Sequence, residues 1–232
     1  MVWRTVLVFV ACAATCTAAW PQSYPAKSIR LISPFPPGAV VDTLSRTLAA
    51  PLGDSLGQPV VVENRTGAGG NIGMTIVAQA PADGYTIGMG SIGTHGINPS
   101  VYAKMPFDPV RDFAPITFVA SNINVLAVHP SVPARNVQEL IAYARANPGR
   151  LSYGSAGTGT SQHLAGELFN LRAGTKIVHV PYKGSGPSLT ALISGEVDLT
   201  YANIPAISAH VKSGRLRPLA NLGPKRSDQL PQ

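Results

Sequence analysis

Short runs of β-branched and aliphatic residues alternate along the chain with longer segments in which apolar residues recur every three or four positions. The short runs predict buried strands, and the longer segments predict amphipathic helices. Strands that alternate with helices of about ten residues are typical of βαβ units, whose strands are parallel. The pattern therefore predicts an α/β fold with mostly parallel sheets flanked by helices.

The predicted elements fall into two groups, before and after about Ser121, with no linker-like tract between them. Strands are predicted at 29–33, 59–63, 85–90, 116–120, 124–128, 151–154, 177–180, 196–201 and 216–220. Helices are predicted at 42–52, around 74–78, and at 137–146, 161–171, 187–194 and 206–213. Gly53 and Gly57 are expected to end the first helix, and Asn136 with Glu139 predicts a capping box.

The first 23 residues have the pattern of a secretory signal peptide. Arg4 is the lone positive charge, an apolar run covers 6–14, and small residues at 17–19 offer a cleavage site. The alternatives are a buried N-terminal helix and, at 9–12, a faint lipoprotein cleavage box, whose early position argues against it. The pattern predicts export to the periplasm, and the remaining sequence contains no other run long and apolar enough to span a membrane.

The composition excludes several classes of protein. Charged residues make up 12% and hydrophobic residues 45% of the 232 positions, which fits one globular domain or two small ones rather than a disordered chain. Cys12 and Cys16 would leave with the signal segment, so disulfides and cysteine-based metal sites are excluded from the mature chain. The net charge of +7 becomes +6 without Arg4 and comes from scattered residues, which argues against nucleic-acid binding. A positive charge of this size favours the binding of anionic small molecules, although an ordinary basic exported protein would carry it too.

The motifs of common enzymes are absent from the sequence. There is no phosphate-binding G-x-x-x-x-G-K-[ST], no G-x-S-x-G elbow and no H-E-x-x-H, and the loop at 68–73 lacks the first glycine of a dinucleotide fingerprint. We therefore predict no catalytic residues, no metal and no cofactor. An exported hydrolase using Ser161 and His163 is the enzymatic alternative, but residues two apart on a helix do not face each other.

Ligands of α/β proteins bind beyond the carboxyl ends of the strands, so the loops that follow predicted strands are the candidate sites. These loops are 34–42, 91–95, 155–163 and 181–186. Three of them lead into a predicted helix, whose first N–H groups are free donors that attract an anion. Asp42 or Thr43 is expected to cap the first of these helices. The loop at 155–163 combines glycines, hydroxyls and free N–H groups, which suits anion capture without a charged side chain.

Segments in the same order along almost the whole of 24–220 resemble the Bug family, the TctC-like extracytoplasmic receptors of tripartite tricarboxylate transporters. The segments are YPAKSIRLISPFPPGAVVDTLSRTLA, PVVVENRTGAGGNIG, APADGYTIGMGSIGTHGINPSVY, FDPVRDFAPIT, SAGTGTSQHLAGELF, VPYKGSGPSLTALISGEVDL and KSGRLRPLA. The resemblance implies a two-domain periplasmic binding protein of type II-like architecture that closes like a Venus flytrap. It also implies a monomer that binds a di- or tricarboxylate, an acidic amino acid or a related organic acid, and that delivers it to membrane permease subunits.

Carried onto this chain, the resemblance implies a signal peptide at 1–23, a first domain at 24–121, a second at 122–220 and a return segment at 221–232. Ligand contacts are implied at Phe35, Pro36, Pro37, Gly38, Ala39, Asp42, Ser91, Thr94, His95, Ser155, Gly157, Gly159, Thr160, Ser161, His163, Tyr182, Gly184, Ser185, Asp198 and Asn203. Lys183 is the one basic residue within these loops that could pair with the ligand, which indicates a weak dependence on charged side chains.

Two departures from the family pattern stand out. Ala39 replaces a glycine, which would be costly if the position needs a positive φ. Family members continue well past the segment KSGRLRPLA and return to complete the first domain, whereas this sequence ends at Gln232. The expectation is a receptor whose first domain lacks its C-terminal part, and the alternative is a nonfunctional truncated fragment.

Overall fold

The computed structural model describes residues 23–225 together with 227 and 228. The signal-peptide prediction thus lies, except for its last residue, outside the described residues, as does part of the predicted return segment. None of the helices within the described ranges is long and apolar enough to cross a membrane.

The first sheet is parallel throughout and contains three strands in the order β2-β1-β3. The strands are β1 (Ile29–Ser33), β2 (Val60–Asn64) and β3 (Thr86–Gly88). They are connected by helix α1 (Val40–Leu56), a 3₁₀ turn (Ala68–Gly70) and helix α2 (Asn71–Ala78). The short helix α3 (Asn98–Val101) follows a π-helical turn at Gly93–Ile97.

The second sheet has five strands in the order β6-β5-β7-β4-β8. They are β4 (Asn124–Val128), β5 (Ser152–Ser155), β6 (Val178–Pro181), β7 (Leu199–Asn203) and β8 (Arg217–Asn221). Helices α4 (Val137–Ala146), α5 (Ser161–Ala173), α6 (Ser185–Ser194) and α7 (Ile204–Lys212) connect them. Strand β4 is antiparallel to both neighbours, whereas β5 is parallel to β6 and β7, so the prediction of mostly parallel sheets is confirmed.

Alternate residues of β4 point to opposite faces of the second sheet and bury two apolar cores. Leu126 and Val128 pack in the layer that includes Leu140, Tyr153 and Leu199. Val125 and Ala127 pack on the other face, in the layer that includes Leu192, Ile204 and Ile207. The run of apolar residues in β4 therefore has the character of a central strand that is covered on both sides.

The predicted strand at 116–120 is wrong. Residues 114–123 form no ladder with any strand in the described part of the chain, and Ile116 and Phe118 are about 80% exposed. The strand-like run of residues favoured a strand, but a strand also needs a hydrogen-bonding neighbour, which a pattern does not reveal.

Only α4 has the predicted bounds, and the other predicted helices differ from the observed ones by one to four residues at an end. Helix α1 runs through Gly53 and ends at Gly57, which adopts the left-handed conformation with φ +69°. A glycine inside a helix costs only about 1 kcal/mol, so it does not by itself end the helix. The capping prediction for α4 is confirmed, because the Asn136 side chain accepts a hydrogen bond of 2.9 Å from the Glu139 N–H.

Candidate functional site: a cavity between the two sheets

A cavity of about 190 Å³ lies where loops that follow β1 and β2 meet loops that follow β5 and β6. Its wall consists of Pro34, Phe35, Pro36, Thr66, Gly67, Ala68, Gly69, Gly70, Tyr102, Ala156, Gly157, Thr158, Tyr182, Lys183 and Gly184. All four of these loops begin at the carboxyl ends of parallel strands, where α/β proteins bind ligands. The position of the cavity therefore agrees with the rule that identified the candidate loops. A larger open groove lies on the outside of the first sheet, between α1 and β2, and none of the predicted site residues lines it.

The first loop is braced from behind by Asp42 and Asn64. The Gly38 N–H donates a 2.9 Å hydrogen bond to Asp42, and the Asn64 side-chain amide donates to the Phe35 carbonyl at 2.9 Å and to Asp42 at 2.7 Å. Burial alone would raise the pKa of Asp42, but the hydrogen bonds from Arg46, Asn64 and Gly38 outweigh it and hold the pKa below its usual value. The buried Asp42 carboxylate thus positions the loop and has its donors inside the protein.

The prediction that Asp42 or Thr43 caps helix α1 is wrong. Ala39 is the N-cap residue of α1 with φ −66° and ψ 155°, and no side chain caps the helix. Asp42 lies in the first turn and bonds the N–H of Gly38, which precedes the cap. Because its φ is negative, Ala39 carries no strain from replacing glycine.

The second candidate loop bonds to itself and lies outside the cavity wall. The Ser91 N–H donates to the Thr94 hydroxyl at 2.9 Å, and that hydroxyl lies 2.8 Å from His95 Nδ1. The His95 ring packs edge-on against Phe113 at 4.7 Å between centroids, and burial lowers its pKa. These contacts stabilise the π-helical turn.

The third loop is held by its own hydroxyl groups. The fully buried Ser155 hydroxyl accepts from the Gly157 N–H at 3.1 Å, and the Thr160 hydroxyl donates to the Gly157 carbonyl at 2.7 Å. The Gln162 side chain accepts from the Ala156 N–H at 2.7 Å. Thr158 lies in the cavity wall, and its N–H has no hydrogen bond within the described residues.

A histidine pair lies behind this loop. His179 Nε2 is 2.6 Å from the Ser155 hydroxyl. The Tyr153 ring stacks on His179 with centroids 4.8 Å apart, and the His163 ring lies tilted against it at 4.3 Å. The Tyr153 hydroxyl donates a 2.6 Å hydrogen bond to Glu167, and burial together with this bond raises the pKa of Tyr153 well above its usual range. Burial, with a smaller contribution from His163, lowers the pKa of His179 to about 4. His179 is therefore neutral in the folded protein at physiological pH.

This pKa predicts a loss of stability in mild acid. The unfolded chain binds a proton at His179 near pH 6.5, whereas the folded protein binds it only near pH 4, so its stabilising contribution is full above pH 6.5 and is lost as the pH falls towards 4. We expect His179 to account for about 1–2 kcal/mol of the stability lost between pH 7.5 and 5. Urea unfolding of the wild type and His179→Gln at both pH values measures it, and an equal loss in the two proteins would contradict the assignment.

The fourth loop contributes Tyr182, Lys183 and Gly184 to the cavity wall. The Tyr182 hydroxyl donates to Glu196 at 2.8 Å, and burial together with this bond raises the pKa of Tyr182 to about 12. Gly184 is the N-cap residue of α6, with φ +118°, and no side chain caps this helix. Lys183 is the only charged side chain among the residues that line the cavity.

Two helices begin at the cavity wall without a side-chain cap. Gly70 and Gly184, which line the cavity, are the N-cap residues of α2 and α6, and neither helix has a side-chain cap. Asn136 and Thr160 cap α4 and α5 with their side chains, whereas α1 and α7, which begin outside the wall, also have no side-chain cap.

In α2 the preceding turn accepts the first N–H groups, since Asn71 donates to the Ala68 carbonyl and Ile72 to the Gly67 carbonyl. The start of α6 therefore offers the uncapped N–H groups and the positive end of a helix dipole, which both favour an anion.

Asp198 was placed wrongly by the sequence argument. It lies at the amino end of β7, where its carboxylate accepts from the Ser152 N–H at 2.8 Å at the start of β5. Since β5 and β7 are parallel, this edge of the sheet is opposite to the loop that follows Ser155. The prediction took β7 as 196–201, but the strand spans Leu199–Asn203, so Asp198 precedes it.

Asn203 and Ser161 lie at the correct edge of the sheet but outside the cavity wall. The Asn203 side-chain amide donates to Asn124 at 2.7 Å, and the Asn124 amide donates to the Ser161 hydroxyl at 3.3 Å. His163 Nδ1 accepts from the Gly159 N–H at 3.3 Å rather than from Ser161. The pairing that a hydrolase would need between Ser161 and His163 is therefore not formed.

Five of the predicted contact residues line the cavity, namely Phe35, Pro36, Gly157, Tyr182 and Gly184. The predicted residues that do not line it are Pro37, Gly38, Ala39, Asp42, Ser91, Thr94, His95, Ser155, Gly159, Thr160, Ser161, His163, Ser185, Asp198 and Asn203. The sequence argument missed the segment 66–70 and Tyr102. The glycine loop follows a predicted strand, so the rule used for the other loops would have found it, whereas no sequence signal pointed to Tyr102.

Comparisons with known proteins identify a common set of relatives. The profile of the TctC family, described as the tripartite tricarboxylate transporter family receptor, matches residues 44–232. BugT of Bordetella pertussis is 40% identical over 225 residues, which cover 97% of this chain and 69% of BugT.

Solved structures with the same fold include Rpa4515 of R. palustris, which is described with adipate. It is 43% identical with a TM-score of 0.83, and the match covers 88% of this chain and 68% of Rpa4515. MatC from Rhodopseudomonas palustris with bound malate is 29% identical, also with a TM-score of 0.83, and covers 88% of this chain and 69% of MatC. This chain thus spans about 69% of the length of these relatives.

Proposed function

Because the chain belongs to the tripartite tricarboxylate transporter receptor family, we propose that it is a periplasmic receptor that captures a small carboxylate in the cavity between its two sheets and delivers it to a membrane permease. The observation that carries the proposal is the wall of this cavity, where the start of α6, which has no side-chain cap, faces the glycine loop that follows β2. The first N–H groups of α6 supply donors to an anion.

The charge of the wall supports an anionic ligand. Lys183 adds one positive charge, and no carboxylate lies among the lining residues, because Asp42 is held behind the first loop. Backbone donors in a cavity sheltered from water bind an anion more strongly than the same donors in water. The site thus binds an anion mainly with main-chain N–H groups, as the single basic residue of the candidate loops indicated.

The shape of the cavity favours an aliphatic dicarboxylate. A volume of about 190 Å³ is below the range of about 300–1,000 Å³ that is usual for drug-sized ligands. Pro34, Phe35 and Pro36 on one side and Ala68 and Ala156 nearby provide apolar surface between the polar loops. A short methylene chain fits this surface, with a carboxylate at each end, and the relative of known structure that is 43% identical is described with adipate.

We further propose that the two sheets are the cores of the two domains, 24–121 and 122–220, and that these close around the ligand. The strands of the first sheet all lie before residue 121 and those of the second all lie after it, which supports this division. Closure would remove the ligand from water and bring the donors of both domains onto it.

Ligand binding is expected to raise the stability of the protein. At a concentration of 100 times its Kd, a bound dicarboxylate should add about 2.7 kcal/mol to the free energy of unfolding. Urea unfolding and calorimetric titration with linear dicarboxylates of four to seven carbons measure this effect, with citrate as the tricarboxylate and adipamide as the uncharged control. A chain that unfolds in one cooperative transition but responds to none of the acids, or responds equally to adipamide, would contradict the proposal.

A further inference from the structure

Polar contacts between the two predicted domains are few. Among residues 24–225, the hydrogen bond of 3.1 Å from the Tyr102 hydroxyl to the Thr158 carbonyl is the one that joins 24–121 to 122–225. The four ion pairs formed within these residues all lie in the first half of the chain. Thus one side-chain hydroxyl makes the polar connection across the cavity, and the two residues that it joins, Tyr102 and Thr158, both line the wall.

Asn98 fixes the short helix α3, whose C-cap residue is Tyr102, to the glycine loop and to the start of α2. The Asn98 side-chain amide donates to Asn71 at 2.6 Å and to the Gly69 carbonyl at 3.2 Å, and Asn98 is fully buried. Gly69 belongs to the glycine loop of the cavity wall, so the loop and the Tyr102 segment form one connected unit. The tyrosine hydroxyl therefore extends from a supported base.

The opposite surface is shaped to receive this unit. A Cβ atom at Gly159 would overlap the Asn98 side-chain oxygen, and a Cβ at Gly69 would lie 2.5 Å from the Thr158 carbonyl oxygen. Close approach of the backbone is possible at these positions only because both residues are glycine. The Asn98 oxygen has no hydrogen-bond partner in the described structure, so Asn98 does not itself hold the halves together.

The Tyr102 bond also positions a ligand donor. Thr158 lines the cavity and accepts the tyrosine hydroxyl with its carbonyl, and its N–H has no hydrogen bond in the part of the chain described. Holding this residue at the cavity wall keeps its free N–H close to a ligand. The bond thus connects closure of the halves with the arrangement of donors in the site.

We propose that Tyr102 is a latch that holds the two halves together and positions the Thr158 N–H for the ligand. The effect on the ligand rests on the proposed function, whereas the hydrogen bond that holds the halves together exists in the free protein as well. Tyr102 is a positioning residue, because it acts on the ligand through Thr158.

Removing the hydroxyl tests the latch with little disturbance of packing. In Tyr102→Phe, we expect the Kd for adipate to rise about fivefold, mainly through faster dissociation, because a net hydrogen bond is lost from the closed form. Tyr143→Phe is the matched control, since Tyr143 lies on α4 and its hydroxyl makes no hydrogen bond within the described residues. Stopped-flow measurement of association and dissociation separates the two rates.

A measurement without ligand keeps the test decisive. In the free protein, we expect hydrogen exchange in peptides that cover 156–162 to be faster in Tyr102→Phe than in the wild type, and unchanged in Tyr143→Phe. Equal exchange in Tyr102→Phe and the wild type would overturn the latch, even where adipate binding is intact. Faster exchange in a protein that binds no dicarboxylate would support the latch and reject the proposed ligand instead.

Discussion

Replacing Gly166 by alanine is expected to lower the free energy of unfolding by about 3 kcal/mol, although alanine is the better helix former. Gly166 lies within α5, and a Cβ atom there would overlap the ring of Tyr153. The ring cannot easily move, because Tyr153 is fully buried, stacks on His179 and bonds Glu167 through its hydroxyl. Overpacking of a filled core therefore outweighs the gain in helix propensity.

Urea unfolding of Gly166→Ala and of the control Gly186→Ala measures this effect. Gly186 lies in α6, and a Cβ atom there would have no neighbour within 4 Å, so its replacement should be neutral or slightly stabilising. If both variants had the same stability as the wild type, the close packing between α5 and Tyr153 would be refuted. The comparison separates packing from propensity because both glycines are helical.

Replacing Gly184 by alanine is expected to weaken adipate binding about 10- to 100-fold. A Cβ atom at Gly184 would lie 2.5 Å from the Pro36 ring, which belongs to the other predicted domain and to the same cavity wall. The clash exists only when the two walls approach each other, so it raises the energy of the closed form that holds the ligand. Displacing the wall by overpacking costs about 1–3 kcal/mol, which sets the expected loss of affinity.

The control for backbone strain is Gly214→Ala. Gly214 has a φ of +73° and Gly184 a φ of +118°, so alanine is strained at both positions, but a Cβ atom at Gly214 meets nothing within 4 Å. Calorimetric titration with adipate should therefore show an unchanged Kd for Gly214→Ala and a much higher Kd for Gly184→Ala. Similar affinities in the two variants would show that the walls do not approach each other at Gly184 and Pro36.

Much of the fold could be predicted because local patterns and local structure agree in most segments. The strand at Ile29–Ser33 and the helix at Val137–Ala146 have the predicted bounds, and the capping box of that helix is formed. The prediction of a strand at 116–120 was wrong because a strand depends on a partner that lies far away in the sequence. The antiparallel direction of β4 could not be predicted, since a buried apolar run has the same pattern in either direction.

The candidate site was predicted as a set of loops but not as a set of side chains. Four loops beyond strand ends do form the cavity, one of them the glycine loop that the sequence argument passed over. The hydroxyls of Ser155 and Thr160 were expected to meet a ligand, yet they bond their own loop. The residue type does not tell whether a serine or threonine hydroxyl bonds its own loop or faces the cavity, because that depends on the groups that surround it in the fold.

The sequence by itself determined the class of fold, the family and the kind of loops that surround the site, because each depends on residue types and their spacing along the chain. Only the tertiary structure decided which groups line the cavity and which support it. Tyr102 and Thr158 are separated by 56 residues, and no pattern in either segment indicates that they share a hydrogen bond. The physical reason is that contact across the cavity depends on how two sheets approach each other, which is set by packing throughout the chain rather than by any local segment.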